Sequence, residues 1–496
     1  MSVLVAELPG FPDTESLTVR LSGGEGSLFL ESTLTGPSGA RYSFYACRPM
    51  AVLRSWGHRC QIVTGHRVTE VFGNPWQVLA ALLERFELCD QPDCPFPLGA
   101  AMGYWGYELK HFVEPCLGRE AMDDLGLPEC WVGFYPSLLV ADQATQRAWI
   151  VATGLRADGT QEASEARRQR DEWLAMLNAP PLSPTPRAKV IEGHSRDYDQ
   201  AAVAASMPRS NMSREQFLCA VERAQRYIRQ GQIYQVNLSH RLRAPWPYPA
   251  FQFYQHLQET SPAPFAAWLN AGEFQVASSS PEQFLRISGR HITTRPIKGT
   301  RPRGADATRD AQLAYELQTN PKELAELVMI TDLLRNDLGR VCEYGSVQVP
   351  DLARLERFAH VQHLVATVTG ELRPEMTHAG ALAACFPGGS ITGAPKIRAM
   401  QIIDEMEPVV RGVYTGCLGY LGFNRESQLS IAIRTAVCHA GEVFFAVGAG
   451  IVADSVPEAE YAETLHKAAG FCAALSRPVT QTMPTACPMP LGSGRE

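Results

Sequence analysis

The sequence lacks several features that would each indicate a class of protein. No window approaches the roughly 18 consecutive apolar residues that a membrane-spanning helix needs. The N-terminus carries no basic segment before its apolar residues, so we predict no secretory signal and expect a cytoplasmic protein that binds no membrane. Basic residues are not in surplus either, because 45 Lys and Arg face 52 Asp and Glu. The resulting net charge of −7 argues against nucleic-acid binding.

Paired cysteine motifs are also missing. The 13 cysteines are scattered along the chain and include no CxxC pair. In a cytoplasmic chain of 496 residues, such cysteines are predicted to be reduced thiols, many of them in the core. A disulfide framework or a zinc site is therefore not expected.

Two segments are poor candidates for a packed core. Residues 179–187, APPLSPTPR, contain four prolines, and the polar stretch that continues to residue 210 predicts a linker. Residues 477–496 predict a disordered tail. These segments separate an N-terminal region, 1–178, from a second region, 211–476. At about 150 residues per domain, length alone suggests about three domains.

The second region carries the clearer secondary-structure pattern. Ser213 and Gln216 predict a capping box at the start of a helix that ends at Gly231. The strand-like runs that follow come in neighbouring pairs, which favours antiparallel sheets covered by helices, an α+β fold. The predicted strands are 232–243, 274–287, 290–297, 413–422, 428–438 and 442–452. The predicted helices are 308–319, 321–338, 394–406 and 457–475.

Two of these predicted helices each carry a pair of glutamates three residues apart. Glu323 and Glu326 lie on one helix, and Glu460 and Glu463 lie on the other, with Lys467 one turn beyond. Four converging carboxylates would form a site for Mg²⁺, which prefers oxygen ligands. Acidic pairs on helices are more often solvated surfaces, so the spacing alone leaves both interpretations open.

Two glycine-rich runs are candidate anion sites. Residues 387–396, PGGSITGAPK, precede a predicted helix and either bind an anion through free N–H groups or form a tight connection. They lack the GK[ST] ending of a phosphate-binding loop. GAGIVA, at 448–453, matches a dinucleotide fingerprint superficially, but no second βα unit follows and we reject that interpretation. Gly448 and Gly450 can still present backbone amides to a carboxylate.

Three charged residues stand out against their local pattern. Arg434 lies in the strand-like run LSIAIRTAV, where it needs either an anionic ligand or an internal salt bridge. Glu282 and Lys298 lie sixteen residues apart on a predicted hairpin. Arginines around Lys298 would favour its neutral, nucleophilic form, although a cationic surface loop is the commoner origin of such a run.

Seven segments, in this order, together resemble the chorismate-utilising enzymes: SSSPEQF, TRPIKGT, AELVMITDLLRNDLGRV, FPGGSITGAPK, IAIRTAV, GAGIVADS and AEYAETLHK. Within that family, PIKGT resembles the aminodeoxychorismate synthase component I branch, whereas anthranilate synthases typically read PIAGT. The resemblance implies conversion of chorismate and ammonia to 4-amino-4-deoxychorismate, for p-aminobenzoate and folate. It also implies one large domain of two orthogonally packed antiparallel sheets with helices outside, which the N-terminal region completes.

The resemblance also implies roles for individual residues. Lys298 attacks carbon 2 of chorismate as the carbon 4 hydroxyl leaves, Glu282 is the general acid for that hydroxyl, and His363 lies near the ring. A lone histidine is otherwise more often a core residue. The implied magnesium residues are Glu326 and Glu463, with Glu323 and Glu460 behind them. The implied substrate-binding residues are Arg434, Tyr414, Gly448, Gly450, Thr392, Gly393 and Lys467.

Further implications concern partners and alternatives. Gln235, in YQVNLSHR, stands where water-activating relatives carry a lysine, which argues against isochorismate or salicylate synthesis. The chain shows no glutaminase motif, so the resemblance implies a separate glutamine amidotransferase subunit that supplies ammonia. Ser32, Pro264 and Phe265 resemble a tryptophan pocket, and the sequence leaves open whether tryptophan binds there.

Two alternatives to aminodeoxychorismate synthesis remain. The first is anthranilate synthase component I. The second is a non-catalytic regulatory subunit that binds chorismate or tryptophan, although none of the implied metal or nucleophile residues is missing from the sequence.

Overall fold

The computed structural model describes residues 3–32, 40–88, 94–179, 207–358 and 361–478. The predicted linker, 179–210, and the predicted tail, 477–496, lie almost entirely outside the described residues. The described helices are α1 (Thr14–Leu21), α2 (Pro75–Phe86), α3 (Lys110–Val113), α4 (Ala163–Asn178), α5 (Arg214–Arg229), α6 (Ala250–Thr260), α7 (Ala307–Thr319), α8 (Pro321–Gly339), α9 (His378–Cys385), α10 (Lys396–Met406) and α11 (Pro457–Ser476).

The strands form two antiparallel sheets of 12 strands each. The first sheet contains β1 (Leu4–Glu7), β2 (Leu28–Glu31), β3 (Tyr42–Ala46), β9 (Ser137–Asp142), β10 (Arg147–Ala152), β11 (Arg209–Ser210), β12 (Gln235–Pro245), β13 (Phe265–Asn270), β14 (Phe274–Ser280), β20 (Gly393–Ala394), β23 (Thr435–His439) and β24 (Glu442–Ile451). The second contains β4 (Ala51–Trp56), β5 (Arg59–Thr64), β6 (Arg67–Phe72), β7 (Ala100–Trp105), β8 (Cys130–Tyr135), β15 (Gln283–Ser288), β16 (His291–Arg295), β17 (Ile297–Pro302), β18 (Gln348–Arg357), β19 (Val361–Glu371), β21 (Cys417–Gly422) and β22 (Glu426–Ile431).

Both sheets mix strands from the N-terminal and second regions. The first sheet runs β1-β10-β9-β3-β2-β13-β14-β23-β24-β12-β11, with β20 paired to β12. The second runs β17-β19-β16-β15-β22-β21-β7-β8-β4-β5-β6, with β18 paired to β19. The predicted α+β class, with two large antiparallel sheets and helices around them, is confirmed. The three domains that length alone suggests are wrong, because each sheet needs strands from both regions.

Apolar side chains explain why these layers stay together. Leu238 and Val276 of the first sheet belong to the same buried cluster as Leu285 and Trp105 of the second sheet. Helices α6 and α11 cover the other side of the first sheet through a separate cluster that includes the stacked rings of Phe445 and Phe471. Helices α7 and α8 pack on β19 through a third, smaller cluster. Burial of these apolar surfaces is the main force that holds the helices on the sheets.

The capping box that starts α5 is confirmed. The backbone N–H of Gln216 donates to Ser213 Oγ at 3.2 Å, and the backbone N–H of Ser213 donates to Gln216 Oε1 at 2.7 Å. Gly231, just past the end of the helix, has a φ of +72°. The sequence therefore specifies both ends of this helix locally.

Two of the predicted strands are each divided into two strands in the structure. The predicted strand 274–287 is divided into β14 and β15, and the predicted strand 428–438 is divided into β22 and β23. At each break the chain leaves one sheet and enters the other. Glu282 lies at the first break, and Arg434, with a φ of +48°, lies at the second. The alternation of apolar residues does not reveal these two corners, because the apolar pattern continues in the strand that follows each break.

Two predicted boundaries are also wrong. The strand predicted at 413–422 begins only at Cys417, because residues 413–416 form a turn. The helix predicted at 394–406 begins at Lys396, because Gly393 and Ala394 pair with β12 as the short strand β20. No described helix is long and apolar enough to cross a membrane.

Candidate functional site

The β15–β16 hairpin brings Glu282 and Lys298 to the same end of the second sheet. Gln283 and Arg295 form the cross-strand pair at the open end of the hairpin, away from its turn. Glu282 immediately precedes β15, and Lys298 follows β16 on β17. The register of β17 on β19 is interrupted by a bulge next to Lys298, where Gly299 has a φ of +68°. A residue with a Cβ is strained in that conformation, so glycine shapes the backbone that presents Lys298.

Glu282 is buried against cationic and hydroxyl neighbours. Burial raises the pKa of its carboxyl, while a hydrogen bond from Ser390 and the charges of Lys298 and Lys467 work in the opposite direction. A carboxyl whose pKa is raised keeps its proton to higher pH than an ordinary glutamate, which suits a proton donor. The sequence did not indicate Ser390, although it lies within the glycine-rich run 387–396.

The arginines around Lys298 do not form a free cationic loop. Each has a carboxylate partner, so the local arginine charge is largely neutralised, contrary to the expectation from the sequence. Arg295 pairs with Glu356, Arg301 with Glu323 at 3.4 Å, and Arg303 with Asp310 at 2.8 Å. Lys298 instead exerts its charge on the carboxylates of Glu282, Glu326 and Glu463.

His363 and Arg434 lie close enough to influence each other. His363 is buried on β19, where Thr300 Oγ1 lies 2.9 Å from its Nδ1. Burial, reinforced by the charge of Arg434, lowers the pKa of His363 to about 4, so the imidazole is neutral at neutral pH. Among the residues that the structure describes, no carboxylate pairs with Arg434. An anion can therefore bind this guanidinium without first displacing an internal salt bridge within that part of the chain.

The glutamates of α8 and α11 come together in part. Burial raises the pKa of Glu326, and repulsion from Glu463 adds to that rise. Burial also acts to raise the pKa of Glu463, but Lys467, Lys298 and Lys322 together outweigh it, and the pKa lies below its usual value. Lys467 Nζ lies 2.8 Å from Glu463 Oε1 and also donates to the Gly448 carbonyl at 2.8 Å. Glu326 and Glu463 thus repel each other while a lysine lies beside them. Two such carboxylates have the oxygen donors that a divalent metal ion prefers.

Glu323 and Glu460 have partners of their own. Glu323 pairs with Arg301, and Glu460 accepts a hydrogen bond from Ser455 Oγ at 2.7 Å. In the described ranges, no group of three or more Asp, Glu, His or Cys side chains is gathered as a ready ligand set. The charge of Lys322, which the sequence did not indicate, opposes the rise in the pKa of Glu326 and Glu460 and adds to the lowering of the pKa of Glu463.

The glycine-rich run 387–396 packs against β12, next to β24. The backbone N–H of Asn237 donates to the Thr392 carbonyl at 2.8 Å, and Gly393 pairs with Val236. Asn237 in turn pairs with Gly450 on β24. Thr392 and Gly393 therefore lie along one edge of β12, and the strand that carries Gly448 and Gly450 pairs with its other edge.

Gly450 and Lys396 have clear structural explanations. A Cβ at Gly450 would lie 2.4 Å from Gln235 Nε2, so any other residue there would displace the end of that glutamine side chain. Lys396 donates to both carboxylate oxygens of Asp337 at 3.0 Å and to the Cys385 carbonyl at 2.9 Å. The lysine at the end of the glycine-rich run therefore ties α10 to α8 and α9 and is not available to a ligand.

Tyr414 is buried in the turn before β21. It lies beside Arg411, whose guanidinium carbon is 5.8 Å from the centre of the Tyr414 ring. Arg411 is buried with Glu407, and neither residue was singled out from the sequence. The only local sign was an arginine in the short segment EPVVRGVY between α10 and β21.

Two of the three residues of the predicted tryptophan pocket line a cavity. Pro264 and Phe265 face it together with Glu31, whose neighbour Ser32 donates its N–H to Ser43 Oγ at 3.2 Å. The Glu31 carboxylate accepts hydrogen bonds from Tyr45 Oη at 3.1 Å and Tyr254 Oη at 2.5 Å. Tryptophan binding there stays a prediction.

Comparison with known proteins gives concordant matches along the chain. The profile of the chorismate binding enzymes matches residues 38–473. The chain is 40% identical over 470 residues to anthranilate synthase component 1 of Synechocystis, with 90% of each chain covered. It is 35% identical over 437 residues to aminodeoxychorismate synthase component 1 of Bacillus subtilis, covering 88% of this chain and 89% of that protein. The solved anthranilate synthase component I from Streptococcus pneumoniae matches with a TM-score of 0.72 at 30% identity, over 88% of this chain and 92% of that chain.

Proposed function

The chain belongs to the family of chorismate binding enzymes, and from this premise we propose that it is an aminodeoxychorismate synthase component I. It would convert chorismate and ammonia to 4-amino-4-deoxychorismate. The observation that carries this choice is the position of Lys298, which interacts with Glu282, Glu326 and Glu463 at one site. A primary amine among carboxylates suits covalent chemistry, and the guanidinium of Arg434, which has no carboxylate partner among the described residues, suits an anionic substrate.

The proposed reaction uses Lys298 as a nucleophile. Its neutral amine forms a bond to carbon 2 of chorismate, the two ring double bonds shift, and the carbon 4 to oxygen bond breaks. Glu282 gives its proton to the departing hydroxyl, which leaves as water. Ammonia then bonds to carbon 4, the double bonds shift back, and the bond from carbon 2 to Lys298 breaks. After loss of a proton, the amine stands on the carbon that lost oxygen.

Charge complementarity supports the placement of the substrate carboxylates. Arg434 and the backbone around Gly448 and Gly450 would bind one carboxylate, close to the neutral ring of His363. Glu326 and Glu463, with Glu323 and Glu460 behind them, have the oxygen donors to hold Mg²⁺. That ion would supply positive charge for the ring carboxylate of chorismate, which the glutamates alone would repel.

The proposed ammonia source is a separate glutamine amidotransferase subunit. The relatives that this chain matches along about nine-tenths of its length are named component 1, which is consistent with a second component. We propose that free ammonia replaces the partner in a purified system, so that the synthase step can be assayed alone.

Anthranilate synthase component I is the second candidate, and the names of the relatives favour it. The relatives with 37–40% identity are anthranilate synthases, whereas the aminodeoxychorismate synthase is 35% identical. In that reaction the amine is added at carbon 2 and pyruvate is lost to make the ring aromatic. An amine nucleophile at position 298 would then have no covalent role.

The deciding experiment is a product assay on the purified chain with chorismate, Mg²⁺ and ammonium. We expect a product that aminodeoxychorismate lyase converts to p-aminobenzoate. Anthranilate as the product would reject the first proposal and support the second. Turnover by Lys298→Ala is expected to fall by about three orders of magnitude, the scale seen when a nucleophile is removed. Its affinity for chorismate should change little.

Covalent capture adds a direct test of the Lys298 role. With chorismate and Mg²⁺ but no ammonia, intact-protein mass spectrometry should detect an adduct on the wild-type chain. Lys298→Arg keeps the positive charge but lacks the amine nucleophile, so it is the matched control and should form no adduct. An adduct on that variant would place the nucleophile elsewhere.

A further inference from the structure

Arg411 is a buried guanidinium whose hydrogen-bond donors are all used. Its side chain is only 2% exposed. Nε and one Nη2 hydrogen donate to the two carboxylate oxygens of Glu407, at 2.8 and 2.6 Å. The other three N–H groups donate to the Ile391 carbonyl at 3.1 Å, Thr415 Oγ1 at 3.3 Å and the Asn237 carbonyl at 2.7 Å. An arginine offers five N–H donors, and each is accounted for here.

The three neutral acceptors lie on three different segments of the candidate site. Ile391 belongs to the glycine-rich run and immediately precedes Thr392. Asn237 lies on β12 and pairs with Gly450. Thr415 follows Tyr414 in the turn before β21. Arg411 thus contacts the glycine-rich run that carries Thr392 and Gly393, the turn that carries Tyr414, and β12, which pairs with the strand that carries Gly450.

Glu407 and Glu108 fix Arg411 in this position. Glu407 Oε1 also accepts the backbone N–H and the hydroxyl of Ser239, at 2.8 and 2.9 Å, so its orientation is set from β12. Glu108, from the N-terminal region, accepts the backbone N–H groups of Arg411 and Gly412 at 3.0 and 2.9 Å. The Tyr107 ring lies 4.8 Å from the guanidinium carbon. Both the side chain and the backbone of Arg411 are therefore held.

We propose that Arg411, oriented by Glu407, is a positioning residue that aligns the glycine-rich run, β12 and the Tyr414 turn for chorismate binding. A lysine cannot reproduce this role, because its ammonium has three donors and no planar fork. A glutamine at position 407 cannot either, because both oxygens of Glu407 accept hydrogen bonds and an amide would turn a donor toward a donor. The proposal rests on chorismate as the ligand and does not depend on which aminated product is made.

A neighbouring ion pair offers a matched control. Asp404, one turn before Glu407, pairs with Lys110, and that lysine lies 4.2 Å from the centre of the same Tyr107 ring. Lys110 is buried, Asp404 is 12% exposed, and the pair joins the N-terminal region to α10. It makes none of the three contacts to the substrate-binding segments. Asp404→Asn and Glu407→Gln are thus the same chemical change in two adjacent ion pairs.

The test measures chorismate affinity by calorimetry with Mg²⁺ and without ammonia, together with the thermal unfolding midpoint. Arg411→Lys and Glu407→Gln should weaken chorismate binding about tenfold or more, because small displacements of binding groups are costly. Asp404→Asn should change the affinity less than about twofold, even if its unfolding midpoint falls as much as those of the other two variants.

The possible outcomes separate the claims. Equal losses of affinity in Asp404→Asn and Glu407→Gln, or unchanged affinity in folded Arg411→Lys, would overturn the positioning role. If Glu407→Gln does not fold, the chorismate affinity of Arg411→Lys is compared with that of Asp404→Asn, and equal affinities would overturn the positioning role. A wild-type chain that binds no chorismate would refute the proposed function, whereas a wild-type chain that binds it and makes anthranilate would change only the product.

Discussion

Glu282 and Arg434 occupy adjacent corners at which two neighbouring strands pass from one sheet into the other. The Ser279 N–H donates to the Arg434 carbonyl at 3.0 Å, and the Ile431 N–H donates to the Glu282 carbonyl at 3.1 Å. The two corners therefore hold each other by backbone hydrogen bonds. A carboxyl proposed as a proton donor and a guanidinium proposed as an anion site are placed by the same crossing of strands.

Glu282 should control the alkaline side of the pH profile. As a general acid it must be protonated, so activity should fall as pH rises through its pKa. Glu282→Gln should lower kcat by about 10²-fold or more. Because the Ser390 hydrogen bond lowers the pKa of Glu282, Ser390→Ala should move the alkaline limb to higher pH. The measurement is kcat against pH for the three proteins, and a limb that moves to lower pH in Ser390→Ala would contradict this assignment.

Magnesium should stabilise the folded chain through Glu326 and Glu463. A ligand that binds only the folded state raises the unfolding midpoint in a concentration-dependent way. We expect Mg²⁺ to raise the midpoint of the wild type, and Glu326→Gln or Glu463→Gln to weaken Mg²⁺ binding about tenfold or more. Glu458→Gln removes an exposed carboxylate from α11, the helix that carries Glu463, and is the control. An equal Mg²⁺ response in all four proteins would place the metal elsewhere.

Glu108 should make stability depend on pH. Burial raises the pKa of its carboxyl from the ordinary 4.5 to about 7. Between these values the folded chain keeps the proton and the unfolded chain releases it, so rising pH lowers the free energy of unfolding, by up to ~3 kcal/mol. Denaturant unfolding at pH 5 and 7 should show a larger loss in the wild type than in Glu108→Gln. Glu70→Gln, at an exposed position, should behave as the wild type does.

Gly299 should matter for activity as well as for stability. Its φ of +68° disfavours any side chain, and a Cβ would lie 2.6 Å from Leu317 Cδ1 and 3.0 Å from Glu323 Oε2. Gly345 has a φ of +80° with nothing near its Cβ position, so it isolates the backbone effect. Both alanine variants should lose about 1–2 kcal/mol of stability. Only Gly299→Ala should also lower turnover, because it displaces Lys298; equal turnover in both variants would argue against this.

Local sequence patterns determined five of the eleven described helices, all of them in the second region. The capping box of Ser213 and Gln216 and the periodicity of α7, α8 and α11 depend on residues within a few turns of each other. The same is true of the β15–β16 hairpin, whose strands adjoin in the chain. Short-range steric and hydrogen-bonding preferences suffice for such elements, so the sequence also indicated that Glu282 and Lys298 would approach each other.

Tertiary structure alone decided which charges are free. The sequence shows a run of arginines around Lys298, but the structure pairs each of them with a carboxylate, one of them as distant along the chain as Glu356. The sequence also shows Arg434 within an apolar, strand-like run, and only the fold places this arginine at a corner between the sheets. The buried network of Arg411, Glu407 and Glu108 joins residues some three hundred positions apart. A charge interacts through space with whatever lies near it, and neighbours of that kind are set by how the two sheets pack, which no local pattern encodes.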